Sequence, residues 1–182
     1  KSGRNPEDVY QQLIDMGLDD VSMEVVGDFD AMYLEGIRLF RKFGKCATIK
    51  VPCTQDGLRV CRELSRDLVN VNVTLIFSPA QAILAAKAGA KYVSPFVGRV
   101  DDNSFDGIDL VDQISDIYTI QNIRKTEILA ASVRDVKTVS DAFGAGAHVV
   151  TMPPSILEKM YNHVLTDRGL YQFDMDWAKV KR

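Results

Sequence analysis

Short β-branched runs alternate with longer amphipathic segments along almost the whole chain. The short runs predict six strands, near 21–26, 46–51, 71–76, 92–96, 128–132 and 148–152. The longer segments predict helices near 6–16, 28–43, 55–66, 79–87, 107–118, 136–143, 154–161 and 166–179. A regular alternation of strand and helix predicts an α/β fold, in which helices cover a parallel sheet.

The number of predicted strands leaves two architectures open. A closed (β/α)8 barrel has eight strands, whereas this pattern provides six, and the chain opens on a helix with no strand before it. The fold is therefore either an open doubly wound sheet or a barrel that lacks an N-terminal piece in this sequence. No linker interrupts the pattern, so residues 1–182 are expected to form a single domain.

Polar side chains recur on one face of five of the predicted strands, mostly towards their carboxyl ends. Because side chains alternate between the two faces of a strand, each polar residue can be grouped with its neighbours two positions away. The groups are Ser22 with Glu24, Thr48 with Lys50, Asn72 with Thr74, Tyr92 with Ser94 and Phe96, and Ala130 with Ser132, followed by Arg134. Parallel strands are usually apolar on both faces. The exceptions predict a lined cavity at the carboxyl ends of the strands, where barrel enzymes have their active sites.

Lys50 gives this predicted cavity its chemistry. A buried ammonium group costs free energy unless it is paired, neutralised or used. In a dry pocket the pKa of a lysine falls, and the neutral amine can attack a ketone to form a Schiff base, which draws electrons from a neighbouring C–C bond. Arg99 and Arg134 follow two of the strand ends and suit a phosphate group, which guanidinium groups bind bidentately.

Each of these residues also has a purely structural explanation. A lysine at a strand end, taken alone, is more often an ordinary surface charge, and Glu24 alone is more often half of an ion pair. Asn72 and Thr74 could satisfy backbone groups. Arg99 could pair with Asp101 or Asp102 as surface charge, and Arg134 could pair with Asp135. The shared face of the whole set is what favours a functional site.

Composition and charge narrow the classes of function. The 182 residues are 46% apolar and 26% charged, which is typical of a globular protein. A net charge of −3 gives no reason to expect nucleic acid or an anionic membrane as partner, and no apolar run reaches the roughly 18 residues of a membrane span. The two histidines and three cysteines have no zinc-binding spacing, so no metal is expected. An odd number of cysteines predicts reduced thiols and a cytoplasmic location.

Three segments of the chain resemble the small, single-domain proteins of the transaldolase and fructose-6-phosphate aldolase family. The segments are "IKVPCTQDGL" (49–58), "NVTLIFSPAQAILAAKAGAKYVSPFVGRVDD" (72–102) and "AASVR" (130–134). The likeness runs from about Val21 to the C-terminal "HVLTDRGLYQFDMDW". It implies a (β/α)8 barrel that uses a lysine Schiff base and no cofactor, and that moves a dihydroxyacetone unit from a ketose phosphate to an aldose phosphate.

The resemblance implies catalytic roles for three residues. Lys50 stands at the position of the Schiff-base lysine, and Glu24 stands at that of the acid that shuttles protons through a water molecule. Thr74 matches the hydroxyl that holds this water. In the aldolase branch the positions of Glu24 and Phe96 typically carry Gln and Tyr, so this chain is expected to be a transaldolase (EC 2.2.1.2-like). The expected reaction converts sedoheptulose 7-phosphate and glyceraldehyde 3-phosphate to erythrose 4-phosphate and fructose 6-phosphate in the pentose phosphate pathway.

The resemblance also implies how phosphorylated sugars bind. The matching positions are Asn72 and Ser94 for substrate hydroxyls, Phe96 for an aromatic ring beside the intermediate, and Arg99, Ser132 and Arg134 for the phosphate. A homo-oligomer, of the decameric kind, is expected as well.

One departure from the family concerns the start of the chain. Family members begin with a strand bearing an acid/base aspartate and continue with a strand ending in "TNPS", and this sequence contains neither. The sequence is therefore expected to be an N-terminally incomplete barrel that holds six of eight strands. Two alternatives stay open: a fructose-6-phosphate aldolase, and a non-catalytic phosphosugar-binding or assembly protein.

Overall fold

Six parallel strands form one sheet in the computed structural model, which describes residues 3–180. They are β1 (Val21–Glu24), β2 (Ala47–Pro52), β3 (Asn70–Ile76), β4 (Tyr92–Pro95), β5 (Glu127–Ala130) and β6 (Val149–Val150). The order of the strands in the sheet is their order in the chain. A doubly wound sheet reverses this order at a switch point, so the sequential order excludes that architecture. The strands form the curled wall of a partial (β/α)8 barrel, which confirms the predicted fold class.

The described residues form nine α-helices. They are α1 (Pro6–Asp15), α2 (Phe29–Phe43), α3 (Gln55–Arg66), α4 (Pro79–Ala88), α5 (Val97–Asp101), α6 (Gly107–Ile120), α7 (Val136–Gly144), α8 (Pro154–Met160) and α9 (Val164–Lys179). Side-chain oxygens cap many of the starts: Asn5 accepts from the backbone N–H of Glu7, and Thr54 accepts from that of Gly57. None of the helices in residues 3–180 is both long and apolar enough to cross a membrane.

Most predicted elements are present, and the differences lie at strand ends. The predicted strand start at Cys46 belongs instead to a short 3-10 helix, Gly44–Cys46. The last predicted strand, 148–152, is reduced to two residues. The helix α5 was not predicted, because five residues are too few to show a helical period.

The hydrophobic core lies between the sheet and the helices. Ile49 on β2 is fully buried, and a Cβ added to Gly36 on α2 would lie 3.2 Å from it and 3.1 Å from Leu64 on α3. The absence of a side chain at Gly36 therefore lets α2 pack closely on the sheet. The apolar face of each strand is used by this core, which leaves the other face free to carry polar groups.

Candidate active site

The strand register places the predicted polar residues side by side on the inner face of the sheet. Lys50 on β2 pairs with Glu24 on β1 and with Asn72 on β3, and Asn72 in turn pairs with Tyr92 on β4. Because paired residues of parallel strands project to the same face, these side chains form a row across the barrel wall.

A cavity of about 400 Å³ opens on this row. Its walls are formed by Tyr10, Ser22, Glu24, Lys50, Asn72, Thr74, Ser94, Phe96, Leu129, Ala131, Ser132 and Thr151. All of the predicted site residues except Arg99 and Arg134 therefore line one cavity. The carboxyl ends of the strands meet here, which is where barrel enzymes have their active sites.

Lys50 is paired with a carboxylate. Its Nζ lies 2.9 Å from Oε2 of Glu24, and the two side chains are 25% and 59% exposed. The ion pair explains how a lysine is tolerated near the end of this largely buried strand. Thr48, two residues earlier on the same face, is fully buried and donates to Oδ1 of Asp20 at 2.6 Å. The inner face of β2 is thus polar along its length, and every polar group named here has a partner.

A chain of hydrogen bonds fixes the amide of Asn72. The hydroxyl of Ser94 donates to Oδ1 of Asn72 at 2.7 Å, and Nδ2 of Asn72 donates to Oγ of Ser22 at 3.2 Å. Asn72 and Ser94 are 2% and 1% exposed. Burial strengthens the bond between Asn72 and Ser94 and makes an unpaired group there costly, so these two side chains hold each other in a single arrangement, whereas Ser22 is exposed.

Thr74 differs from its neighbours because its hydroxyl has no partner. Among residues 3–180, its Oγ1 is the one buried side-chain oxygen or nitrogen that makes no hydrogen bond. Buried polar atoms are nearly always paired with protein or with ordered water. Since Thr74 lines the cavity, its hydroxyl can hold a water molecule or a polar group of a ligand.

Arg99 lies on α5, just beyond the ring of Phe96. Its guanidinium carbon is 4.8 Å from the centre of that ring, in the geometry of a cation–π contact. Arg99 lines a second cavity, of about 500 Å³, together with Phe77 and Phe105. Within residues 3–180 its guanidinium forms no hydrogen bond or ion pair with another side chain.

Arg134 forms an ion pair with Asp102. Its Nη1 and Nη2 donate to Oδ1 and Oδ2 of the carboxylate, one bond from each nitrogen. The Arg134 guanidinium lowers the pKa of Asp102 below its ordinary value. Arg134 also lines a hollow that shares Ser132 and Thr151 with the Lys50 cavity, so the two spaces adjoin.

The backbone around Ser132 departs from strand geometry. Ser132 has a φ of +61°, a conformation that non-glycine residues rarely adopt. The predicted grouping of Ser132 with Ala130 on one face is wrong for this reason: Leu129 and Ala131 line the cavity, whereas Ala130 is fully buried in the core. Ser132 reaches the cavity because the chain turns at this position.

Gly98 allows α5 to approach this turn. A Cβ added to Gly98 would lie 2.3 Å from the carbonyl oxygen of Ser132 and 2.9 Å from Nε of Arg134. Real Cβ atoms do not come this close to backbone oxygen, so only glycine fits here. Gly98 thus holds α5, which carries Arg99, directly against Ser132 and Arg134.

Residues 7–182 match the model of the family described as transaldolase/fructose-6-phosphate aldolase. The chain belongs to this family. A probable transaldolase of Nitrosopumilus maritimus is 51% identical over 182 residues, which are 100% of this chain and 82% of that protein. A probable transaldolase of Paracoccus denitrificans is 51% identical over 184 residues, and one of Caulobacter vibrioides is 48% identical over 181 residues; each alignment covers 99% of this chain and 82% of the relative.

Membership in the transaldolase/fructose-6-phosphate aldolase family makes this chain an enzyme of the transferase or aldolase kind.

Some residues that line the site have no clear signal in the sequence. Tyr10 reaches the cavity from α1, and Thr151 reaches it from the segment after β6. Leu129 and Ala131 read as ordinary strand residues. In residues 3–180 no group of three or more His, Cys, Asp or Glu side chains could hold a metal ion.

Proposed function

We propose that this enzyme is a transaldolase that transfers a dihydroxyacetone unit between phosphorylated sugars through a Schiff base on Lys50. The observation that supports this most is the contact of 2.9 Å between Nζ of Lys50 and Oε2 of Glu24, inside a cavity lined by hydroxyl and amide groups. The substrates are sedoheptulose 7-phosphate and glyceraldehyde 3-phosphate, which gives the enzyme a place in the pentose phosphate pathway. The three free cysteines fit a cytoplasmic location.

Formation of the Schiff base requires a neutral amine. Glu24 lies within hydrogen-bond distance of Nζ of Lys50 and can accept the proton that the ammonium group loses. The amine then attacks the C2 carbonyl of the ketose phosphate, and the carbinolamine releases water to give the iminium ion. A water molecule held by Thr74 would extend the reach of Glu24 to the oxygens that gain or lose protons in these steps.

Cleavage follows from the electron demand of the iminium ion. A general base takes the proton of the C4 hydroxyl, a role that the resemblance implies for an aspartate that these 182 residues do not contain. The C3–C4 bond then breaks, and its electron pair moves to the iminium nitrogen to form an enamine. The aldose phosphate leaves, and the three-carbon enamine stays on Lys50. Attack of the enamine carbon on the aldehyde of a second aldose phosphate, followed by hydrolysis of the iminium ion, completes the transfer.

The remaining residues are proposed to orient the substrate. The locked pair of Asn72 and Ser94 is suited to bind hydroxyl groups of the three-carbon unit, because neither side chain has to reorganise. Arg99, Ser132 and Arg134 are assigned to the phosphate. Their proximity is supported by Gly98, whose backbone contacts Ser132 and Arg134 while Arg99 follows it in the chain.

Phe96→Tyr is expected to shift the enzyme from transfer towards aldol cleavage. A phenyl ring offers no proton to the waiting enamine, whereas the hydroxyl of tyrosine can help to protonate it with little change in volume. The variant should release more free dihydroxyacetone from fructose 6-phosphate and transfer less to erythrose 4-phosphate. The measurement is the ratio of dihydroxyacetone to sedoheptulose 7-phosphate, in the full-length protein.

Phe77→Tyr is the matched control, because Phe77 packs against Phe96 at 5.7 Å between ring centres but does not line the Lys50 cavity. This control should keep the product ratio of the unmutated enzyme. Rapid cleavage of fructose 6-phosphate without an acceptor by the unmutated enzyme, together with an unchanged ratio in Phe96→Tyr, would replace transaldolase by fructose-6-phosphate aldolase.

We also propose that the enzyme is a homo-oligomer, of the decameric kind that its family resemblance implies. No residue of α9 is buried, and its apolar side chains Leu170, Phe173 and Trp177 are 56%, 70% and 66% exposed. Apolar side chains clustered on one exposed helix are typical of an interface. Sedimentation velocity of the full-length protein should therefore give a mass well above that of one chain, and a monomer at micromolar concentration would contradict this proposal.

A further inference from the structure

The guanidinium of Arg134 is already bound by a carboxylate at its two Nη atoms. Asp102 accepts from both Nη atoms, and the backbone of Gly98 lies against Nε, where an added Cβ would be 2.9 Å away. A phosphate group usually binds arginine through two parallel N–H···O bonds. The pair of donors best placed for such bonds is held by Asp102 in this structure.

Arg99, the other arginine assigned to the phosphate, differs from Arg134 in its partners. It stacks on Phe96 and makes no ion pair within the described part of the chain. The Arg134 guanidinium has the largest effect on the pKa of Asp102, which it lowers. The positive charge of Arg99 lowers this pKa further. One carboxylate thus offsets part of the positive charge that two guanidinium groups present to a substrate.

We propose that Asp102 is an exchangeable counter-ion of Arg134, and that the phosphate of the substrate takes its place. Asp102 is then a positioning residue that limits the affinity of the enzyme for phosphorylated sugars and speeds their release. This inference rests on the proposed phosphate-binding role of Arg134.

The exposure of the pair makes such an exchange feasible. The side chains of Arg134 and Asp102 are 54% and 49% exposed, and ion pairs in contact with water contribute little to stability. A doubly charged phosphate competes well for the guanidinium group, whereas a neutral sugar brings no anion and leaves the pair intact. Removal of the carboxylate charge should therefore strengthen binding of phosphate-bearing ligands in particular.

The test is Asp102→Asn in the full-length protein. The amide keeps the shape of the side chain and removes its charge, so the KM for fructose 6-phosphate and the inhibition constant of inorganic phosphate should each fall by about twofold to fivefold. Asp102→Glu retains the charge and should restore values close to those of the unmutated enzyme. Asp112→Asn, on the exposed side of α6, is the matched control for the change in net charge and should leave both constants unchanged.

Two results would overturn the inference. An unchanged phosphate affinity in Asp102→Asn would show that Asp102 does not compete for Arg134, and a raised KM would show that it holds Arg134 in place for binding. If Asp102→Asn does not fold, Asp102→Ser gives the same readout. A second experiment distinguishes the proposed Schiff-base function of Lys50 from the proposed role of Asp102. It is borohydride trapping of the unmutated protein with unphosphorylated dihydroxyacetone. Failure of trapping would overturn the proposed function, whereas normal trapping with unchanged phosphate affinity would overturn only the role of Asp102.

Discussion

Lys50→Ala in the full-length protein is expected to abolish transfer of the dihydroxyacetone unit. Among the described residues, Lys50 provides the one amine that lines the cavity, and only an amine can form an imine with the C2 carbonyl. Loss of a catalytic nucleophile commonly lowers kcat on the order of 10⁴-fold or more. The fold should persist, because the lost ion pair is partly exposed and contributes little to stability. The measurement is the rate of sedoheptulose 7-phosphate formation, together with the thermal unfolding midpoint.

Lys87→Ala is the matched control for this experiment. Lys87 lies in the last turn of α4, is exposed, and has no side-chain partner within residues 3–180. Its replacement should leave the transfer rate unchanged. Substantial residual transfer by a correctly folded Lys50→Ala protein would show that another group carries the reaction.

Glu24→Gln is expected to lower the transfer rate by about 10²-fold to 10⁴-fold, which is the usual contribution of a general acid or base. The amide keeps the size of the side chain and can still accept a hydrogen bond from Lys50, but it cannot take up and return a proton. The resemblance assigns a further acid/base role to an aspartate that these 182 residues do not contain, so this assay also requires the full-length protein.

The pH profile distinguishes a catalytic from a structural role of Glu24. Loss of a general base should remove the acidic limb of the rate profile, whereas a purely structural change should lower the rate equally at all pH values. Glu158→Gln, at an exposed position of α8, is the control and should behave like the unmutated enzyme. Full transfer activity in Glu24→Gln would remove Glu24 from the catalytic group.

The sequence predicts the local elements of this fold better than their assembly. Strands such as 71–76 and helices such as 55–66 are recognisable because their apolar residues recur with the period of a strand or of a helix. The sequential order of the strands depends on contacts across the whole sheet, and the local pattern left a doubly wound sheet open as an alternative. The five residues of α5 are too few to show a period.

In the candidate site, too, the sequence predicts local features better than contacts between distant residues. Alternation along β1, β2 and the first half of β3 correctly groups Glu24, Lys50 and Asn72 on one face, because the pairing of β1 with β2 and of β2 with β3 keeps one register. It fails at Ser132, where a backbone φ of +61° breaks the alternation. Sequence proximity offered Asp135 as the partner of Arg134, but Asp135 caps α7 through the backbone N–H of Thr138. The actual partner, Asp102, lies 32 residues away in the chain, and such a contact depends on how α5 packs beside the end of β5.

Covalent trapping on Lys50 tests the central proposal most directly. The full-length protein is incubated with fructose 6-phosphate, the Schiff base is reduced with borohydride, and the modified peptide is identified by mass spectrometry. We expect one reduced three-carbon adduct, located on Lys50, whose amount falls when erythrose 4-phosphate is added before borohydride because the acceptor removes the enamine. The absence of an adduct, or an adduct on a different lysine, would contradict the assignment of Lys50 as the Schiff-base nucleophile.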